Sequence, residues 1–83
     1  MNTDNFAGRH EATRQLVRWF EYGHLPKPLQ RPARSVALLA SQMVYELSDC
    51  AELTAGLRKL LEAKDCFVRA AILAHDNTQV DQP

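Results

Sequence analysis

Apolar residues recur along this chain at steps of three and four, the repeat of an α-helix, and no run alternates with period two. The longest such pattern is LRKLLEAKDCFVRAAI, Leu57 to Ile72. Leu53, Leu57, Leu60, Lys64, Phe67 and Ala71 share one helical face, and Lys64 interrupts it in the middle. A second apolar row holds Leu61, Val68 and Ile72, with Arg69 beside it. A helix that is apolar on two sides and carries cations among those rows needs more than one partner surface.

Three helices follow from the pattern. Ala12, Leu16, Val17 and Phe20 predict a short first helix over Glu11 to Glu21, ended by Gly23 in the position of a C-terminal glycine. HLPKPLQRP reads as a connector, because Pro26, Pro28 and Pro32 oppose a continuous helix. The second helix is expected from about Ala33 to Leu47, with Val36, Leu39, Ala40, Met43 and Leu47 as its stripe and Leu38 and Tyr45 away from it. SDCAE is the next connector, where Asp49 and Glu52 have the spacing of a capping box. The third helix should run to about His75. No segment reads as a strand and no hairpin turn dipeptide is present, so the fold class is all-α. The organisation expected is a flexible N-terminus over 1–10, one helical domain over 11–75 with a hairpin at about 33–75, and a flexible tail over 76–83. The short connector makes the second and third helices antiparallel neighbours. A hairpin plus one short helix cannot close a core around two-sided helices, so homo-oligomerisation is expected to complete it.

Length sharpens that expectation. Eighty-three residues make one domain, and a chain of this size buries only roughly 60–65% of its unfolded surface alone. The two cysteines, Cys50 and Cys66, are too few for a secreted disulfide scaffold and read as reduced thiols of a cytoplasmic protein. Cys66, in mid-helix, reads as a small buried hydrophobe. MNTDNFAGRH lacks the apolar core of a signal peptide, and no apolar run is long enough for a membrane span. Ten basic residues balance ten acidic ones, which argues against a duplex-DNA binder. Charge is nonetheless uneven. Between Tyr22 and Tyr45 there is no Asp or Glu, while Lys27, Arg31 and Arg34 all fall there.

Catalytic signatures are missing: there is no HExxH, CxxC, GxxxxGK[ST] or GxSxG. His10, His24 and His75 are far apart and none pairs with Cys or an acid at metal spacing, so neither a metal nor a cofactor is expected. Glu62 and Asp65 share a helical face and read as ordinary surface charges. Binding chemistry has more support. In WFEY, Trp19, Phe20 and Tyr22 point to different sides of a helix, so they cannot all enter one core. Trp19 or Tyr22 belongs at an oligomer interface, or beside cations as a stacking platform for a base. Lys27, Arg31 and Arg34 are either a solvated connector or a phosphate site, with Arg34 expected in the first turn of the second helix. Lys64 either snorkels or pairs with an acid across a subunit boundary. Near a symmetry axis, Arg69 from each subunit would gather into a cationic ring that needs an anion.

The segment LLEAKDCFVRAAI, preceded by a Tyr-x-x-Leu connector and an amphipathic helix, resembles the phage anti-CBASS and anti-Thoeris sponge proteins that share a helical-hairpin domain. The resemblance covers roughly residues 22–72 and is best in Phe67 to Ala70. It implies a small helical homo-oligomer, typically a hexamer, working in the bacterial host cytoplasm. It implies a non-enzymatic sponge that sequesters a cyclic nucleotide second messenger, a cyclic di- or trinucleotide or a cyclic ADP-ribose isomer. Arg69 matches the family's phosphate-binding Arg, and Tyr22, in Tyr-Gly-His-Leu, its base-stacking Tyr. The family's Lys on the first hairpin helix has no counterpart in the second helix as drawn, and Arg34 is the nearest substitute. The expected ligand-binding set is Tyr22, His24, Lys27, Arg34, Lys64 and Arg69. The residues alone also allow a helical adaptor that binds a host or phage protein through Trp19, Tyr22 and the basic connector.

Overall fold

A computed structural model describes residues 8–76. These form three α-helices and no strand: α1 Glu11–Arg18, α2 Lys27–Glu46 and α3 Ala51–Asp76. The parts of the predicted flexible ends that fall on 1–7 and 77–83 lie outside the described residues. Arg9 and His10, within the N-terminus expected to be flexible, hydrogen-bond to Asp49.

One core joins the helices. Val17 and Phe20 meet Val36, Ala37, Ala40 and Val44 of α2 and Leu53 and Leu57 of α3, all buried. Leu16, Tyr22, Leu60 and Leu61 pack against its margin. Phe20 is fully buried, a transfer worth about 1.5–3 kcal/mol. The small side chains of Ala33, Ala37 and Ala40 leave room for neighbouring helices to approach α2 closely. The stripe on α2 is rotated from the predicted one. Val36 and Ala40 are buried as expected, but Leu39 and Leu47 are exposed and Met43 is half-buried. Ala33, Ala37 and Val44 take their places because the core must also receive Val17 and Phe20 from the α1 side.

The proline-rich segment is not a connector throughout. α2 begins at Lys27, six residues before its predicted start. Pro26 is its N-cap and Pro28 lies in its first turn. At those positions an N–H would lack a helical partner anyway, so proline costs little there. Only Pro32 sits inside the helix, where it removes one backbone bond. α1 ends sooner than predicted, at Arg18 rather than Glu21. The N–H groups of Trp19, Phe20 and Glu21 donate back three residues to Leu16, Val17 and Arg18, at 3.1, 3.1 and 3.3 Å. That tighter winding closes the helix, and Phe20, three residues after Val17, stays on its buried side. Gly23 therefore does not cap α1, and its φ is not positive; Gly8 alone among the described glycines takes a positive φ, +92°.

Asp49 does not form the predicted capping box. Its carboxylate faces the other way, toward the start of α1. Arg9 donates to Oδ1 at 2.8 Å from Nη2 and 3.0 Å from Nε. The His10 backbone N–H donates to Oδ2 at 2.7 Å, and Thr13 Oγ1 donates to Oδ1 at 2.9 Å. Thr13 is the one buried polar side chain among the described residues, and this bond satisfies it. Arg9 also donates to the carbonyl oxygens of Val44 and, at 2.8 Å, Leu47. It thereby satisfies acceptors that the end of α2 leaves open. His10 caps α1, its Nδ1 accepting the Ala12 N–H at 3.0 Å. The backbone carbonyl of Cys50 accepts the Thr54 N–H at the start of α3.

α3 has 26 residues against 20 in α2, so at 1.5 Å per residue it outruns its neighbour by about 9 Å. Phe67, Ile72 and Leu73 are left exposed along it. Cys66 is exposed too, contrary to the buried position expected, because the core reaches only the first half of α3. Both cysteines are free.

The Arg9 guanidinium, first, and the His10 N–H hold the Asp49 carboxyl down from 3.8 to about 2. A carboxyl more acidic in the folded state adds stability above its unfolded value and loses it as pH falls through the folded value. Asp49→Asn is therefore expected to lower the unfolding midpoint at pH 7. The gap between the melts of variant and parent should shrink as pH falls from about 4 through about 2; a gap undiminished at pH 2 would show that charge is not its source.

Candidate functional site

Beginning α2 at Lys27 changes the phase of the basic segment. Lys27, Arg31 and Arg34 stand at i, i+4 and i+7 of one helix, inside a narrow arc of its surface. All three are exposed. No acid follows on α2 until Glu46. Among the described residues the ion pairs are Arg9 with Asp49 and Lys64 with Asp65, so none of the three is paired. Arg34 is the eighth residue of α2, not a first-turn residue as expected; Lys27 is the first. Arg31, left out of the expected binding set, belongs to the stripe. Its i+4 spacing from Lys27 is visible in the sequence, but reading the prolines as a loop hides it.

The turn before α2 carries Tyr22 and His24. Tyr22 is half-buried against the core margin, and its carbonyl accepts the Leu25 N–H at 3.0 Å. Gln30 Nε2 donates to the Leu25 carbonyl at 2.8 Å, fastening the turn to the first turns of α2. His24 is exposed. Tyr22, His24 and the stripe are thus consecutive along one stretch, with the phenol ring anchored and the cations free.

Lys64 and Arg69 behave differently. Lys64 is drawn inward: its side chain is 12% exposed and its Nζ donates to the Trp19 carbonyl at 2.9 Å. Asp65 Oδ1 lies farther away, at 3.8 Å. Arg69 is exposed, with Nη2 donating to Cys66 Sγ at 3.4 Å one turn back. Trp19 exposes 67% of its surface.

Concavities lie elsewhere. One runs along α1 past Arg14, Arg18 and Trp19. One of about 240 Å³ sits among His10, Thr13, Asp49 and Thr54. A third, about 260 Å³ and almost wholly apolar, is bordered by Leu39, Met43 and Leu47 of α2 and Leu53, Leu57 and Leu60 of α3. None of Tyr22, His24, Lys27, Arg34, Lys64 and Arg69 lines any of these three. His24, Lys27, Arg34 and Arg69 lie on exposed surface, Tyr22 is half-buried and Lys64 is turned inward.

No group of three or more His, Cys, Asp or Glu among the described residues is placed to hold a metal ion. No described helix is long and apolar enough to cross a membrane. Comparison with family models, curated proteins and solved structures gives no match.

Unpaired, exposed cations contribute little to folding. Alanine at Lys27, Arg31 or Arg34 should leave the unfolding free energy within about 0.5 kcal/mol of the parent, measured by urea titration. A loss well beyond that would assign the stripe to the fold.

Proposed function

We propose that the protein is a non-enzymatic sponge that sequesters a cyclic nucleotide second messenger at subunit interfaces. The observation that carries this reading is the exposed, unpaired stripe of Lys27, Arg31 and Arg34, which begins five residues after an aromatic ring held by the core. Guanidinium and ammonium groups serve phosphates, and an anchored ring serves a base. Three cations brought this close repel one another, and a phosphate diester relieves that repulsion.

The architecture proposed with it is an antiparallel α2–α3 hairpin closed by self-association into a homo-oligomer, a hexamer by the family resemblance. The connector of four residues, Leu47 to Cys50, and the groove shared by Leu39, Met43, Leu47, Leu53, Leu57 and Leu60 support the pairing. Continued in that register, α3 carries Arg69 level with the α2 residues near Arg31. Exposed Leu38, Leu39, Tyr45, Phe67 and Leu73 supply apolar surface for subunit contacts. Tyr22 stacks on a base, with His24 beside it; Lys27, Arg31 and Arg34 meet phosphates; and Arg69 gathers near an axis. The setting is a bacterial host cytoplasm, and the effect is to deprive a defence pathway of its signal.

Exposed Trp19 favours a second reading, an adaptor that docks on a protein partner. Calorimetry against cyclic di- and trinucleotides and cyclic ADP-ribose isomers separates the two. The sponge reading expects tight binding of at least one member, recovery of that ligand intact after denaturation, and a loss of tenfold or more for the Lys27→Ala, Arg31→Ala, Arg34→Ala triple variant, as roughly expected for lost charge-assisted bonds. Neither heat nor a thermal shift from any member, together with partner capture that Trp19→Ala abolishes, would leave the adaptor.

A further inference from the structure

Lys64 is among the expected ligand-binding residues, yet its ammonium is engaged inside the protomer. We propose that Lys64 is instead a positioning residue, which acts on the bound nucleotide through Tyr22 and does not touch it. The inference rests on the sponge reading for its ligand and on the fold for everything else.

At the end of α1, the carbonyls of Leu16, Val17 and Arg18 are each taken by an N–H three residues on. The Trp19 carbonyl is the next in line, and Lys64 Nζ donates to it at 2.9 Å. An ammonium at a helix C-terminus also meets the negative end of the helix dipole. Leu60 and Leu61 pack at the core margin with Tyr22, and Lys64 is one helical turn beyond them on α3. Its methylene stem therefore runs along the apolar side of the helix while its head reaches the Trp19–Phe20 peptide. Phe20 follows directly and is fully buried; Tyr22 comes two residues later and only partly enters the core. The Tyr22–Leu25 bond closes the turn on its far side. The segment that presents Tyr22 is thus pinned at Trp19 by Lys64, at Phe20 by burial, and at Leu25 by its own turn.

Asp65, 3.8 Å from Nζ and half-exposed, is too loose a partner to hold the lysine head by itself. Lys64 already makes one short bond, so turning toward a phosphate would reopen the Trp19 carbonyl.

The test compares the parent with Lys64→Met, which keeps the stem and removes the donor, and Lys64→Arg, which keeps a cationic donor. Amide hydrogen exchange on ligand-free protein reads the turn directly. Lys64→Met should raise exchange at residues 20–25 at least tenfold, leave the α2 and α3 cores protected, and be rescued by Lys64→Arg. Affinity for the cyclic nucleotide that the parent binds best is then measured in Lys64→Met, Tyr22→Ala and the double variant. A residue acting through Tyr22 gives a double variant no weaker than Tyr22→Ala alone. Additive losses would overturn the proposal and make Lys64 a ligand contact. Unchanged exchange at 20–25 would overturn it as well. If the parent binds no member of the panel, the sponge reading fails on its own, and the exchange data still decide whether Lys64 holds the turn. Should Lys64→Met unfold, Lys64→Leu, which likewise has no donor, takes its place in every arm.

Discussion

The Arg9 guanidinium sits between the end of α2 and the carboxylate of Asp49, and much of the fold depends on that placement. One side chain satisfies carbonyls of Val44 and Leu47 and pairs with an acid in the following connector. The same carboxylate receives the His10 N–H and the Thr13 hydroxyl. Residues more than thirty positions apart are thereby held at fixed distance, at the corner where α1 begins and where α2 gives way to α3. Small domains have little core to spare, so a polar clasp with no unsatisfied buried side-chain atom carries unusual weight among the described residues.

With its start fixed, α1 can be short. Eight residues would be marginal as an isolated helix. Here the helix is held at one end by the clasp, at the other by Lys64, and along its inner side by Thr13, Val17 and Phe20. The early closure at Arg18 then has a purpose. Phe20 stands three residues after Val17 and seven after Thr13, so it keeps the buried phase of α1, and the early closure leaves Tyr22 at the core margin. The position of the aromatic ring is thus a consequence of the same contacts that build the domain.

Much of this is legible in the residues. The period of three and four specifies an all-helical chain, the three helices in order, and the end of α3 to within one residue of His75. The departures have specific physical causes. Prolines at 26 and 28 resemble a break, but they occupy the N-cap and first turn, where missing N–H groups cost little. Asp49 and Glu52 have capping-box spacing, but a guanidinium forty residues earlier in the chain competes for the carboxylate, and local spacing cannot register that partner. On α2, residue size alone favours Leu39 and Leu47 over Ala37 and Val44, whereas close helix packing favours the smaller ones. Of the candidate site, the residue types are legible and their arrangement is not. The stripe requires knowing where α2 starts, and the role of Lys64 requires knowing where α1 stops.

The balance of ten basic and ten acidic residues conceals a strong local imbalance. Lys27, Arg31 and Arg34 span eight residues of helix, and neighbouring members are only about 5–6 Å apart along its axis, within the ~8 Å over which physiological salt screens charge. Their potentials therefore add. The acids that neutralise the chain overall lie outside the segment between Tyr22 and Tyr45, and the carboxyl held lowest, that of Asp49, is already committed to Arg9. A neutral protein with so short a basic run lacks the extended cationic surface that a long polyanion requires. In the sponge reading proposed above, the stripe would meet a small anion of two or three phosphates, short enough to lie within it. Neighbouring apolar side chains at Leu38 and Leu39 continue from the basic end of the same helix. Association through them would enclose such an anion, lower the dielectric around it, and strengthen each cation's hold.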